Sequence, residues 1–132
     1  MGTDLTWLGE TGLDTETGMS YTGGEDKYIS ALQRFYKNYE KNRARVFEYL
    51  EAGDYENYMI TVHALKSNAK MIGARDLSTL FETLESAARN NETELIEAQN
   101  AVALNAYDDL IQKLAPVSDM GDFRRRSKAD SG

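Results

Sequence analysis

Apolar side chains recur along this chain at intervals of three and four residues, the spacing that places them on one face of an α-helix. In the stretch 54–74, one such face carries Tyr58, Val62, Leu65, Ala69 and Ile72. Asp54 can cap the first turn of this stretch, and Gly73 can end it. The pattern therefore predicts an amphipathic helix with a buried apolar seam.

Similar spacing predicts further helices before this stretch. A short helix begins at Asp14 and ends before Gly23 and Gly24, which interrupt the chain. Residues 25–52 form either two successive helices or one helix with a kink, because Asn38 can cap a fresh start. This part of the chain is therefore expected to be helical up to the beginning of the central helix.

Two more helices follow the central one. Residues 75–90 have the most regular pattern of the chain, and a last helix runs from about residue 92 to 115, before Pro116. Its predicted inward positions include Leu95, Gln99, Val102, Ala106, Leu110 and Leu114. Helices with such short connections pack as antiparallel neighbours, so the predicted fold is all-α: an antiparallel four-helix bundle with a short extra N-terminal helix.

The length of 132 residues fits a single domain. Residues 1–13 are rich in Gly and Thr and show no period, so they are predicted to be a loosely ordered N-terminal segment. Residues 14–115 are assigned to the helical-bundle domain. Residues 116–132 are polar and contain a run of three arginines, and they are predicted to be a flexible C-terminal tail.

Composition removes several classes of function. The net charge of −7 and the pI of about 4.7 argue against nucleic acid as the main partner. The absence of cysteine excludes disulfides, thiolate metal sites and cysteine nucleophiles. No apolar run is long enough to span a bilayer and no secretory signal is visible, so a cytoplasmic protein without a membrane partner is expected.

The central helix carries the only histidine of the chain, His63. At about 100° per residue, its imidazole lies far from the apolar seam, on a ridge that it shares with Met59, Lys66 and Lys70. The ring is therefore expected to be partly exposed, with two ammonium groups one and two turns further along the helix.

Besides an inert surface position, several kinds of chemistry are open to such a histidine. A single imidazole beside cationic neighbours is a poor ligand set, so no metal site is predicted. A nucleophilic pair with Ser67 is weak, because Lys66 and Lys70 disfavour the imidazolium that a general base becomes.

A phosphoryl acceptor fits this environment better. An ordinary imidazole has a pKa of about 6.5 and is nucleophilic when neutral, and lysines can pair with the phosphoryl group that it acquires. The chain shows no Gly-rich phosphate loop, so a partner protein is expected to supply the phosphate.

The run HALKSNAKMIGA, residues 63–74, resembles the signature of histidine-containing phosphotransfer (HPt) domains, of the type found in bacterial hybrid sensor kinases and multidomain response regulators. The resemblance extends from about residue 13 to residue 115. It implies that Nε2 of His63 is phosphorylated and that Lys66 is the phosphate partner, with Lys70 on the same ridge. Ser67 departs from the glycine that is usual in the signature.

The resemblance also implies a docking surface for receiver domains around His63. Its expected members are Met59, Ile60, Ala64, Ser67 and Met71. Arg89 on the neighbouring helix is a further candidate for the same patch, although a solvated arginine is the simpler interpretation.

The implied function is a histidine phosphotransfer module of a two-component phosphorelay. Such a module accepts a phosphoryl group from a receiver-domain aspartate and passes it to another receiver, so it is a phosphoryl carrier rather than an enzyme. It needs no cofactor, since Mg²⁺ is expected on the partner receiver only, and a monomer is expected. The alternative is a helical module that docks receiver or kinase domains without being phosphorylated. A hydrolase using His63 and Ser67 is a weaker third hypothesis.

Overall fold

The computed structural model of the chain describes residues 6–120, which form six α-helices and two short 3-10 helices. The α-helices are α1 (Thr15–Thr22), α2 (Glu25–Lys37), α3 (Tyr39–Glu51), α4 (Tyr55–Met71), α5 (Arg75–Arg89) and α6 (Thr93–Leu114). The 3-10 helices span Thr6–Glu10 and Ala115–Met120. The predicted all-α class is therefore confirmed, and the segment 25–52 is two helices rather than one.

Helices α3 to α6 are joined by turns of about three residues and pack as antiparallel neighbours. Helix α4 lies between α3 and α5, and α5 packs on α6. The predicted seam of α4 is buried over its whole length, which places this helix against the centre of the bundle. Helix α2 adds four large side chains to the same core: Tyr28, Ile29, Leu32 and Phe35.

The turn between α4 and α5 depends on a glycine. Gly73 has φ +82°, a left-handed conformation, and a Cβ at this position would lie 2.1 Å from the carbonyl oxygen of Asp14. The carbonyl of Gly73 accepts a hydrogen bond from the backbone N–H of Asp14 at 2.9 Å. This glycine therefore lets the chain before α1 lie against the turn that sets the relative position of α4 and α5.

The predicted face of α6 is wrong in its first half. Leu95 and Val102 are exposed, and the neighbouring Ile96 and Ala103 are buried instead. The prediction is correct near the end of the helix, where Leu110 and Leu114 are buried. The core thus uses a face of α6 that is rotated by about one residue from the predicted one.

Both ends of the described part of the chain contribute to the core. Leu8 is buried in the first 3-10 helix, so the described part of segment 1–13 packs on the bundle. Val117 is buried in the second, and its carbonyl accepts a hydrogen bond from Gln33 at 3.3 Å. One apolar side chain of each 3-10 helix is therefore removed from water by the bundle. Residues 1–5 and 121–132 lie outside the described residues.

None of the helices within residues 6–120 has both the length and the apolar character that crossing a bilayer requires.

An ionic cluster connects α3 to α6. Arg43 binds Asp108 with two hydrogen bonds, Nε to Oδ1 at 2.8 Å and Nη2 to Oδ2 at 3.0 Å, and the hydroxyl of Tyr39 donates to Oδ1. The hydrogen bond from Arg43 lowers the pKa of Asp108, burial opposes this effect, and the Tyr39 hydrogen bond adds to it. The cluster therefore holds a carboxylate between two elements of the bundle.

We expect Asp108→Asn to lower the free energy of unfolding by about 1 kcal/mol at neutral pH, because a partly exposed bidentate ion pair becomes a neutral contact. A carboxyl group whose pKa is lowered by folding stabilises the fold above its ordinary pKa, and this contribution is lost as pH falls through the folded value. In urea titrations, the difference between parent and variant should therefore shrink on acidification. Asp109→Asn, at an exposed neighbour, is the control. A difference that does not change with pH would contradict the assignment.

Candidate functional site

Helix α4 presents His63 on the side away from the core. The Asp54 carboxylate caps the helix by accepting from the backbone N–H of Asn57 at 3.2 Å. Because Val62 and Leu65 are fully buried, the intervening ring is turned outward, and 56% of the His63 side chain is exposed. The predicted exposure of the imidazole therefore agrees with the structure.

A buried carboxylate lies directly under the ring. Glu85 of α5 has only 6% of its side chain exposed, and its Oε2 is 2.7 Å from Nδ1 of His63. Lys66 Nζ lies 2.7 Å from the other carboxylate oxygen, Oε1, and Arg89 Nη2 lies 2.8 Å from Oε2. Three side chains from two helices thus converge on one carboxylate.

The environment of Glu85 keeps it ionised. Burial alone disfavours the charge, but hydrogen bonds from Lys66 and His63, together with their charges, outweigh it and lower the pKa of the carboxyl group. A carboxylate can only accept hydrogen bonds, so Nδ1 of His63 must carry a proton. In the neutral ring, Nε2 then holds the free lone pair.

The two helices are also connected beside the site. The Ser78 hydroxyl of α5 donates to the backbone carbonyl of Lys66 at 3.0 Å. This bond joins α5 to the turn of α4 that carries His63 and Lys66. The distance between ring and carboxylate is therefore supported by the main chain as well as by the side chains.

The other predicted residues fall into three groups. Lys70 is exposed, and within residues 6–120 its ammonium group takes part in none of the ion pairs. Met59 is partly buried against the core. The remaining four are exposed and form one ridge of α4, at intervals of four, three and four residues: Ile60, Ala64, Ser67 and Met71.

Within residues 6–120, no group of three or more His, Cys, Asp or Glu side chains is arranged to hold a metal ion.

A family model described as "Hpt domain" matches residues 30–115, which is well over half of the chain. The chain belongs to the Hpt domain family. Members of this family carry phosphoryl groups on histidine in phosphorelays and interact with receiver domains of two-component systems. A search of curated proteins finds no match to this chain, and a search of solved structures also finds none.

The sequence did not predict Glu85 as a site residue of this Hpt domain, and it predicted Arg89 only as a candidate. The sequence gives no sign of a role for Glu85, and for Arg89 it favours a solvated position. The structure places Glu85 at His63 and pairs Arg89 with Glu85, although 59% of the Arg89 side chain is exposed. A signal of burial was present, because Glu85 lies four residues after Phe81 and three before Ala88, within the apolar stripe of α5.

Proposed function

We propose that His63 is the phosphorylated residue of this Hpt domain, which accepts a phosphoryl group from a receiver-domain aspartate and passes it to another receiver. The observation that carries this proposal is the contact between Nδ1 and the Glu85 carboxylate. The contact requires the proton on Nδ1 and so supports Nε2, on an exposed ring, as the nucleophile.

The transfer is an in-line displacement at phosphorus. The Nε2 lone pair attacks the phosphorus of the aspartyl phosphate, an N–P bond forms, and the P–O bond to the aspartate carboxylate breaks. The proton on Nδ1 stays on the ring, which becomes positively charged. Glu85 stabilises this charge through the hydrogen bond already in place, and the reverse sequence returns the phosphoryl group to a receiver.

Positive charge beside the ring suits the phosphoryl product. Lys66 and Lys70 follow His63 on the same helix by three and seven residues, so both ammonium groups lie on its side of α4. We assign Lys66 and Lys70 to the phosphoryl group on this ground. Mg²⁺ belongs to the partner receiver, and the Hpt domain acts as a carrier rather than as an enzyme.

The docking surface for the receiver is the exposed ridge of α4 that runs beside His63. Ile60 and Met71 are 57% and 43% exposed, and Ala64 and Ser67 between them are small. Small side chains next to the nucleophile let a second protein approach the ring closely. Apolar residues at both ends supply contact area. Bacterial origin, a cytoplasmic location and a monomeric state stay predictions.

The proposal is tested by incubating the protein with a receiver domain that carries ³²P on its aspartate, in the presence of Mg²⁺. We expect acid-labile label to move to the Hpt domain and then to a second, unlabelled receiver. Binding of the receiver without any transfer of label would instead support the alternative, a docking module that is not phosphorylated. Ester hydrolysis that requires both Ser67 and His63 would support the hydrolase.

Replacing Glu85 should slow acceptance without unfolding the protein. We expect Glu85→Ala to reduce the transfer rate about a hundredfold and Glu85→Gln about tenfold, because the amide can still accept from Nδ1–H but carries no charge. The matched control is Glu82→Gln, at an exposed position of the same helix, which should transfer at the parent rate. Equal rates for all four proteins would show that the carboxylate does not act on the ring.

A further inference from the structure

The two oxygens of the Glu85 carboxylate have different partners. Oε2 is shared by Nδ1 of His63 and Nη2 of Arg89, whereas Oε1 is bound by Lys66. Lys66 can therefore leave the carboxylate without breaking the contact between Oε2 and the ring. If Arg89 leaves, Oε2 keeps only its contact with Nδ1 of His63.

Lys66 has a competing ligand as soon as His63 is phosphorylated. The phosphoryl group brings three strong acceptor oxygens and close to two negative charges to a residue one turn away on α4. The lysine ammonium is a point charge on a flexible stem, and it can turn from a carboxylate to a phosphoryl group. When it turns, the buried carboxylate loses the cation on Oε1.

Arg89 is placed to keep the carboxylate fixed at that moment. It lies four residues after Glu85 on α5, so the pair is held by one turn of the same helix. A guanidinium is planar, and its N–H donors form a rigid fork that matches a carboxylate. The titratable and charged side chains that meet at this site are His63 and Lys66 from α4 and Glu85 and Arg89 from α5.

We propose that Arg89 is a positioning residue, which holds the Glu85 carboxylate against Nδ1 of His63 while Lys66 changes its partner from Glu85 to the phosphoryl group. In the resting protein Lys66 and Arg89 both bind the Glu85 carboxylate, so either one can hold it in place without the other. In the phosphorylated protein Arg89 is the one of these two cations that stays on the carboxylate, beside the Nδ1–H of His63. This inference rests on the proposed function for the event that moves Lys66, and on the resting geometry for the role of Arg89.

The resting geometry is tested without phosphorylation, by recording ¹⁵N chemical shifts of the His63 ring, which report the tautomer. Lys66→Ala imitates the departure of Lys66. We expect the Nδ1–H form to stay in excess in Lys66→Ala and in Arg89→Ala, and the excess to be lost in the double variant. Adding Arg89→Lys to Lys66→Ala should retain it. Adding Arg75→Ala, an exposed arginine of the same helix, should also retain it.

Three results of this experiment would overturn the proposal. The first is loss of the Nδ1–H excess in the single variant Lys66→Ala. The second is persistence of the excess in the double variant of Lys66 and Arg89. The third is an equal loss when Arg75→Ala is added to Lys66→Ala. Because the protein has a single histidine, the signal needs no assignment among rings. The measurement uses unphosphorylated protein, so its result does not depend on whether His63 accepts a phosphoryl group.

Transfer kinetics separate positioning from docking. With a phosphorylated receiver as donor, we expect Arg89→Ala to lower the maximal rate about tenfold at an unchanged half-saturating receiver concentration, and Arg89→Lys to recover most of the loss. A change in the half-saturating concentration alone would make Arg89 a docking residue and would overturn the proposal, as would a parent-like rate. If the parent accepts no phosphate, the proposed function fails, and the ring shifts still decide the role of Arg89.

Discussion

His63→Gln is expected to abolish phosphoryl acceptance. The chain has one histidine, so no second imidazole can replace the lost nucleophile. Glutamine offers no nitrogen lone pair of comparable nucleophilicity, and the lysines beside it carry no free lone pair when they are protonated. The loss should exceed that of any other single replacement at the site. The measurement is acid-labile label after incubation with a phosphorylated receiver.

The fold of this variant serves as its control. The His63 side chain is more than half exposed, and a glutamine amide can donate to Glu85 in place of Nδ1–H. We therefore expect an unfolding midpoint in urea close to that of the parent, within the range of ordinary surface replacements. Acid-labile label on a folded His63→Gln protein would show that another group accepts the phosphate.

Leu65→Asp is expected to unfold the bundle. Leu65 is 1% exposed and lies two residues after His63, in the middle of the α4 seam. The replacement removes a buried apolar side chain and puts a carboxylate without a partner in its place, at a cost of about 4 kcal/mol or more. Because domains are stable by only about 5–15 kcal/mol, we expect loss of the cooperative thermal transition in circular dichroism.

Ala64→Asp is the matched control for this variant. It introduces the same charge one residue earlier, at a position that is exposed, and should leave the cooperative transition in place. A cooperative, well-folded Leu65→Asp protein, or an unfolded Ala64→Asp protein, would contradict the orientation of α4. The same orientation turns His63 outward, so the pair of variants also tests the geometry of the site.

The face of α4 could be predicted from sequence because the longest series of apolar residues at helical spacing marks one side of the helix. Tyr58, Val62, Leu65, Ala69 and Ile72 are all buried, as their spacing predicts. In the first half of α6 the sequence allows two rotations, since Leu95 is followed by Ile96 and Val102 by Ala103. Either member of each pair satisfies the helical period, and packing against α5 selects the second.

Only the part of the candidate site that lies on α4 could be predicted from the sequence. Spacing along α4 is sufficient to place Lys66 on the side of His63. Glu85 is 22 residues further along the chain, and only the packing of α5 on α4 brings its carboxylate to the ring. A buried acidic residue is expected to have partners, so its position in an apolar stripe was the available signal.

The central claim is that Nε2 of His63 carries the phosphoryl group, and ¹⁵N–³¹P correlation on the labelled protein tests it most directly. After incubation with a phosphorylated receiver, we predict coupling of phosphorus to one ring nitrogen, Nε2, with the proton retained on Nδ1. Phosphorus bound to Nδ1, or bound to a residue other than His63, would contradict the account.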